Sequence, residues 1–331
     1  MEERVRLRAG LISLAVSVVL LAAKYQAYRI TGSTAILSDA LESIVNVVAS
    51  AFAVGGIVFA GRPADRNHPY GHGKIEFFSA AFEGGLISFA AVLIVYQAAR
   101  GLYYGVDVRE VDIGLAVVLG AGLANLGLGW FLVRTGRACD SLALVADGQH
   151  VISDFWTSAG IVVGLMLVRF TGRGWIDPVV AAIVAASLMG TGFRLVRRAA
   201  AGLLDEEDTP LLDRLIGVLE RSVGQGIIRV HHLRAIRAGR FHHVDAHLVV
   251  PEFWTVDRAH ELAEDLAERV IRDLGVDGEL VFHTDPCHRI YCRMCDLTPC
   301  AVRREAFAGR PPLTVEEAVR PDMPRPTAPA R

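Results

Sequence analysis

Within the first two hundred residues the sequence turns apolar six times, each time for about 20 residues or more, long enough as a helix to cross a hydrocarbon core. The stretches run approximately from Ala9 to Tyr28, Thr34 to Ala60, Phe77 to Leu102, Ile113 to Val133, Ser141 to Phe170 and Asp177 to Leu195. With 52% hydrophobic residues and a mean hydropathy of +0.37, the 331-residue chain is too apolar for an ordinary soluble α/β enzyme, and the expected solvent is lipid. A formal charge of -2 and a pI near 6.6 give no reason to expect nucleic acid as a partner. The first stretch contains Ser13, Ser17 and Lys24 without a persuasive cleavage site, so it reads as a retained span rather than a removed signal peptide.

Basic residues orient the six spans. Arg4, Arg6 and Arg8, then Arg62, Arg66 and Lys74, then Arg134 and Arg137, then Arg194, Arg197 and Arg198 all fall on one side, which the positive-inside rule makes cytoplasmic. The other side carries Arg29, Arg100, Arg109, Arg169 and Arg173, so the bias is a majority. Both termini are expected in the cytoplasm, with the protein integral to the cell (inner) membrane.

The composition changes after Ala201, where Asp205, Glu206, Glu207 and Asp208 lead through Pro210 into a soluble pattern. Periodicity predicts a helix over Leu211 to Val223, strands over Ile227 to Ile236 and His242 to Val250 around Ala238-Gly239-Arg240, a helix over Val256 to Leu274, and a strand over Glu279 to His283. The order is αββαβ. The expected layout is a transport domain over residues 1–201, a cytoplasmic domain over 202–287, a cysteine-rich extension over 288–306 and a proline-rich disordered tail over 307–331. In the extension, Cys287, Cys292, Cys295 and Cys300 crowd one short polar segment, as ligands of a structural or sensory zinc ion do. An iron-sulfur cluster is the less favoured metal reading, and disulfides are weaker still in a reducing compartment. Cys139 stands alone and is given no role.

Two of the apolar stretches contain ionisable groups. The second holds Asp39, Glu42 and Asn46, and the fifth holds Asp147, His150 and Asp154. Glu42 and Asn46 are four apart, as are His150 and Asp154, so each pair shares a helical face, with Asp39 and Asp147 three residues earlier on the same faces. A lone charge inside a membrane costs several kcal/mol, roughly 2.5 or more on insertion scales. A shared divalent cation would compensate both clusters. Carboxylate, imidazole and amide oxygen suit zinc, iron, cobalt or manganese, and sulfur is absent from the set. The alternative is that these groups pair with one another simply to hold the bundle; for Asp39 and Asp147 helix-start and supporting roles fit as well as ligation. His150 and Glu42 are the natural proton carriers.

The paired motifs, the loop Asp65-Arg66-Asn67-His68-Pro69-Tyr70-Gly71-His72-Gly73-Lys74-Ile75-Glu76 and the ending His283-Thr284-Asp285-Pro286-Cys287 together resemble the cation diffusion facilitators over roughly Leu7 to Cys287. The resemblance implies an α-helical membrane protein of six transmembrane helices with a small cytoplasmic metallochaperone-like α+β domain. It implies a homodimer that exports a divalent metal, with zinc, iron, manganese, cobalt and nickel as the candidates, in exchange for protons. By position, Glu42, Asn46, His150 and Asp154 form the transport site; Asp65, His68 and His72 a loop site; and His231, His247, His260, His283 and Asp285 a regulatory site between two soluble domains. His232, His242 and His243 are either ligands or surface. Lys74 resembles the lysine that pairs with an acid after the last span, here Asp205. Zinc members carry Asp or His at the Glu42 position and Asp at that of Asn46, which leaves the metal open. A membrane metalloenzyme or a metal sensor are the alternatives; no HExxH or GxSxG sequence occurs in the spans to favour the enzyme.

Overall fold

The computed structural model describes residues 2–31, 34–104, 112–171, 173, 175–224 and 226–320. It divides into two compact units, Met1–Leu204 and Asp205–Arg331. Among the described residues, six long helices build the first unit: α1 (Glu2–Thr31), α2 (Thr34–Ala60), α3 (Ile75–Tyr104), α4 (Asp112–Ala138), α5 (Leu142–Thr171) and α6 (Ile176–Leu203).

The helices overrun the apolar stretches that mark them. α1 begins at Glu2, not Ala9, and α6 continues past Leu195 to Leu203. Hydropathy marks only residues suited to hydrocarbon, whereas the backbone ladder carries on through the basic ends. By length and composition alone, segments of two helices qualify as membrane spans among the described residues, Arg4–Gln26 and Ile75–Tyr103, with Asn46–Ala60 a shorter apolar piece.

Among the described residues, the unit exposes large apolar side chains and buries polar ones beside its apolar core. Phe89, Leu123, Trp130, Ile183 and Phe193 are exposed, while Asn46, Ser50, Glu83, Asp147, His150 and Asp154 are buried. Water would oppose that arrangement and lipid favours it. Small residues let the helices approach. A Cβ on Gly148 of α5 would stand 2.9 Å from the Gly129 carbonyl oxygen of α4, and one on Gly129 would stand 2.8 Å from that of Gly148. Close backbone packing of this kind drives helix association where lipid supplies no hydrophobic force between helices. Here it fixes α5, the helix that carries His150 and Asp154.

The second unit runs α7 (Thr209–Ser222), β1 (Arg229–Ala238), β2 (Phe241–Val250), α8 (Val256–Leu274) and β3 (Gly278–Pro286), the αββαβ order. Asp208 caps α7 by accepting from the Leu211 N–H, and Thr255 caps α8 by accepting from that of Arg258. Gly275 ends α8 at φ 64, the left-handed conformation in which glycine carries no Cβ penalty. β1 and β2 pair antiparallel, and β3 returns through α8 to pair parallel with β2. Leu212, Leu215, Leu219, Val230, Leu248, Leu266 and Val270 fill the core between the helices and one sheet face.

The tail departs from expectation. Disorder was the expectation from Phe307 onward, yet Leu313 and Ala318 belong to the buried core, and Val315–Ala318 forms a short helix, α9. The Arg310 guanidinium donates to the Val223 carbonyl oxygen at 2.8 Å, and Arg229 pairs with Glu317 at 2.6 Å. Composition counts prolines and misses the two apolar anchors that strap this segment to α7 and β1. Residues 321–331 lie outside the described residues.

Candidate metal-transport site and associated clusters

Helices α2 and α5 bring three of the four expected transport ligands together. Asn46, His150 and Asp154 are each at most 6% exposed. The Asn46 carboxamide joins them: its Nδ2 donates to Asp154 Oδ2, and its Oδ1 lies 3.0 Å from His150 Nε2. An amide nitrogen can only donate and its oxygen only accept, so Nε2 carries the imidazole proton. His150 Nδ1 has no hydrogen-bond partner among the described residues. Glu42 and Asp39 lie on α2, Glu42 one turn before Asn46, and their side chains fall outside the described residues.

Asp147 faces a serine cluster. Its Oδ1 accepts from Ser50 at 2.9 Å, and Ser50 lies 3.1 Å from Ser13 and 3.4 Å from Ser17, which ties α5 to α2 and α1. Sequence reasoning missed four further polar groups in this unit. Arg6 pairs with Glu76 at 2.5 Å, and Ser141 donates to the other Glu76 oxygen at 2.7 Å, all three buried. Glu83 on α3 is fully buried. An acid within an apolar stretch was the available signal for it.

The loop between α2 and α3 gathers Asp65, His68 and His72, with a ligand atom from each lying within 4.8 Å of the others. Asp65 Oδ1 stands 3.1 Å from His68 Nδ1, and Asp65 Oδ2 stands 3.4 Å from His72 Nε2. The backbone N–H of His68 also donates to Asp65, and this bond above all holds the carboxyl below its ordinary range. His72 is buried edge-on against Phe59, while Asp65 and His68 are half-exposed.

In the second unit the register builds a histidine row. His231, His247 and His283 are direct cross-strand neighbours on β1, β2 and β3, on the sheet face opposite the core. Asp285 joins them: its Oδ2 lies 3.1 Å from His231 Nε2 and 2.9 Å from His247 Nδ1, and its Oδ1 lies 3.1 Å from His283 Nδ1. Burial lowers the affinity of His231 for a proton, opposed by Asp285. Burial of Asp285 acts upward, but the His247 hydrogen bond and the surrounding histidines outweigh it and hold that carboxyl below its ordinary range.

Two more histidines stand differently within one chain. His260 stands apart, exposed on α8 and paired with Glu264 at 3.2 Å. His232 joins the cluster, with Nδ1 3.2 Å from His247 Nε2. Strand alternation would put His232 opposite His231, but a β-bulge between His231 and Arg234, with His232 at φ 51, turns both rings the same way. A bulge has no clear signature in sequence. His243 pairs with Glu279 at 2.8 Å, and the buried His242 ring lies 3.3 Å from the Asp277 carbonyl.

The four-thiolate zinc site is not drawn together. Cys287, Cys292, Cys295 and Cys300 line one cavity of about 10 Å³, yet the groups with three ligand atoms within 4.8 Å of one another, among the described residues, are only the loop trio and His231 with His247 and Asp285. Burial pushes the Cys287 thiol up, away from thiolate. Cys287 and Cys295 pack with Ile228, Val249 and Tyr291 as core side chains.

A bundle of long helices that exposes large apolar side chains and buries Asn46, His150 and Asp154 between two of them, with an appended αββαβ domain, has the make-up of a membrane protein with a small soluble domain. Residues 10–204 match the cation efflux transmembrane domain, and residues 211–287 match the cytoplasmic domain of cation efflux proteins. The chain belongs to the cation diffusion facilitator family of metal transporters: it is an integral membrane protein of metal cation efflux and not an enzyme. It is 35% identical to the uncharacterized transporter sll1263 of Synechocystis sp. over 84% of this chain and 89% of that one. It is 28% identical to the cation-efflux pump FieF of Shewanella oneidensis (84% and 93% covered) and 24% identical to the manganese efflux system protein MneP of Bacillus subtilis (86% and 97%).

Proposed function

We propose that this protein exports a divalent transition metal from the cytoplasm of the cell in exchange for protons, acting as a homodimer in the cell membrane. In this reading all six helices α1–α6 cross the bilayer, with both termini cytoplasmic. The carrying observation is that Asn46, His150 and Asp154, buried and bonded to one another, face each other across α2 and α5. Glu42, one turn from Asn46, supplies the fourth donor and the second negative charge, so that with Asp154 it neutralises a divalent ion. Metal and protons compete for these atoms. Zinc, iron, manganese, cobalt and nickel fit the donor set, and one relative is named for manganese.

The loop trio Asp65, His68 and His72 is proposed as a second metal site. His231, His247, His283 and Asp285, with His232, are proposed as a regulatory site that biases the arrangement of two soluble domains, with His260 reaching it only across the dimer. Lys74 and Asp205 are proposed to link the two units. In proteoliposomes the unaltered protein should move metal against a proton gradient. Asp154→Ala and His150→Ala should each abolish that flux while the protein still runs as a folded dimer in detergent. Transport retained by both variants would sink this assignment.

A further inference from the structure

Glu83 has no part in the transport site. It sits on α3, fully buried, and neither of its carboxylate oxygens has a hydrogen-bond partner among the described residues. Such groups are rare in folded proteins, and each calls for an explanation such as a bound ion. The Glu83 carboxylate lies within electrostatic range of Asp147 on α5, with no hydrogen bond between the two. Asp147 is also fully buried; Ser50 occupies its Oδ1, and its Oδ2 has no partner among the described residues. One turn before Glu83 on the same face of α3, the buried Ser79 hydroxyl is likewise without a partner among the described residues. Long helical side chains lean back over the preceding turn, and the turn before Glu83 is the one that Ser79 occupies.

We infer that Glu83, Asp147 and Ser79 form a second intramembrane cation site, built from oxygen donors alone and selective for a hard divalent metal of the Mn²⁺ kind. Two carboxylates cancel the charge of one divalent ion. Carboxylates and a hydroxyl, with neither imidazole nor sulfur, suit hard cations better than zinc. Oxygens that share one such ion stand roughly 3 to 5 Å apart, given ligand distances of about 2.0 to 2.6 Å. The inference rests on the transport reading and deepens it. Asp147 precedes His150 by three residues, about 4.5 Å along the axis, towards the start of α5. With that end cytoplasmic, an outgoing metal meets Glu83 and Asp147 before it reaches Asn46, His150 and Asp154.

The test is a Mn²⁺ titration of the full chain in detergent, followed by electron paramagnetic resonance, together with Mn²⁺ flux in proteoliposomes. Glu83→Gln should bind one Mn²⁺ fewer per chain than the unaltered protein, and the metal concentration at half-maximal flux should rise on the order of tenfold, a larger change than any fall in maximal rate. Asp154→Ala should remove a different equivalent, and the double variant two. Where Glu83→Gln does not purify as folded protein, Asp147→Asn, which can still accept from Ser50, decides by the same count. An unchanged Mn²⁺ count overturns the inference even if flux falls, because the carboxyl then serves the fold or proton movement. Should Asp154→Ala keep both flux and count while Glu83→Gln loses its equivalent, the transport assignment fails and the Glu83 site stands.

Discussion

The Arg6, Glu76 and Ser141 cluster permits a stability experiment whose outcome depends on partner, not position. The guanidinium and carboxylate are 3% and 1% exposed at 2.5 Å, and Ser141 donates to the second carboxylate oxygen at 2.7 Å. Glu76→Ala leaves a positive charge buried without compensation, which costs about 3–5 kcal/mol, and strands the Ser141 hydroxyl for about 1 kcal/mol more. The expected loss is therefore roughly 4–6 kcal/mol, three to four decades in the folding equilibrium. Replacing both partners, as Arg6→Met with Glu76→Met, removes the orphaned charge and should recover most of that loss, since apolar substitutes for buried ion pairs are often neutral or stabilising. Unfolding in mixed detergent and SDS micelles measures each variant. The reasoning is refuted if the double variant is as unstable as Glu76→Ala, because shape would then matter and charge would not.

Asn46→Asp turns the donor that faces Asp154 into a third acid and should shift preference towards zinc; competitive uptake with zinc, iron, manganese, cobalt and nickel checks this, and an unchanged profile removes Asn46 from the discrimination. Leu313→Ala should destabilise the second unit by roughly 2–4 kcal/mol through a cavity between the tail and the core. Faster hydrogen exchange in α7 and β1 of the full chain would report it, and unaltered exchange would return the tail to disorder. The second unit should also lose stability in acid in two stages. His231 has a folded-state pKa below its unfolded value, so the unfolded chain takes up the extra proton and stability starts to fall as pH drops through about 6.5. Asp285 is likewise lowered, so the stability it contributes is present above an unfolded value of about 3.9 and is lost as pH falls through its lower folded value. Far-ultraviolet melting curves against pH, with His231→Ala lacking the first stage, check the assignment.

What the sequence made legible was periodicity. Apolar runs located six helices, alternation located three strands, and a spacing of four put Asn46 on one face and His150 with Asp154 on another. What it hid were features set by tertiary neighbours. The partnership of Arg6 with Glu76 joins residues 70 apart. The bulge that turns His232 towards His247 depends on strand pairing, and the tail is held by two apolar side chains within a proline-rich segment. The cysteines are a separate case: their spacing is suggestive, but buried thiols also pack as small apolar groups, as Cys287 and Cys295 do.

Asn46 is where the two kinds of information meet. The α2 and α5 partners run in antiparallel register, so that Asn46 faces His150 and Asp154 while Ser50, one turn on, faces Asp147. A carboxylate at position 46 could accept from His150 but would repel Asp154, and the metal-free pair of helices would need a proton or a metal to close. The carboxamide donates to the acid and accepts from the imidazole at once, which satisfies both buried groups without an ion. In the transport reading, metal must then break two interhelical hydrogen bonds, each worth about 0.6–2 kcal/mol in an apolar medium, before it can bind. Affinity falls by that amount, and release, which every export cycle requires, becomes easier by the same amount. In the transport reading, the residue that departs from the zinc pattern is thus suited to a metal held less tightly than zinc.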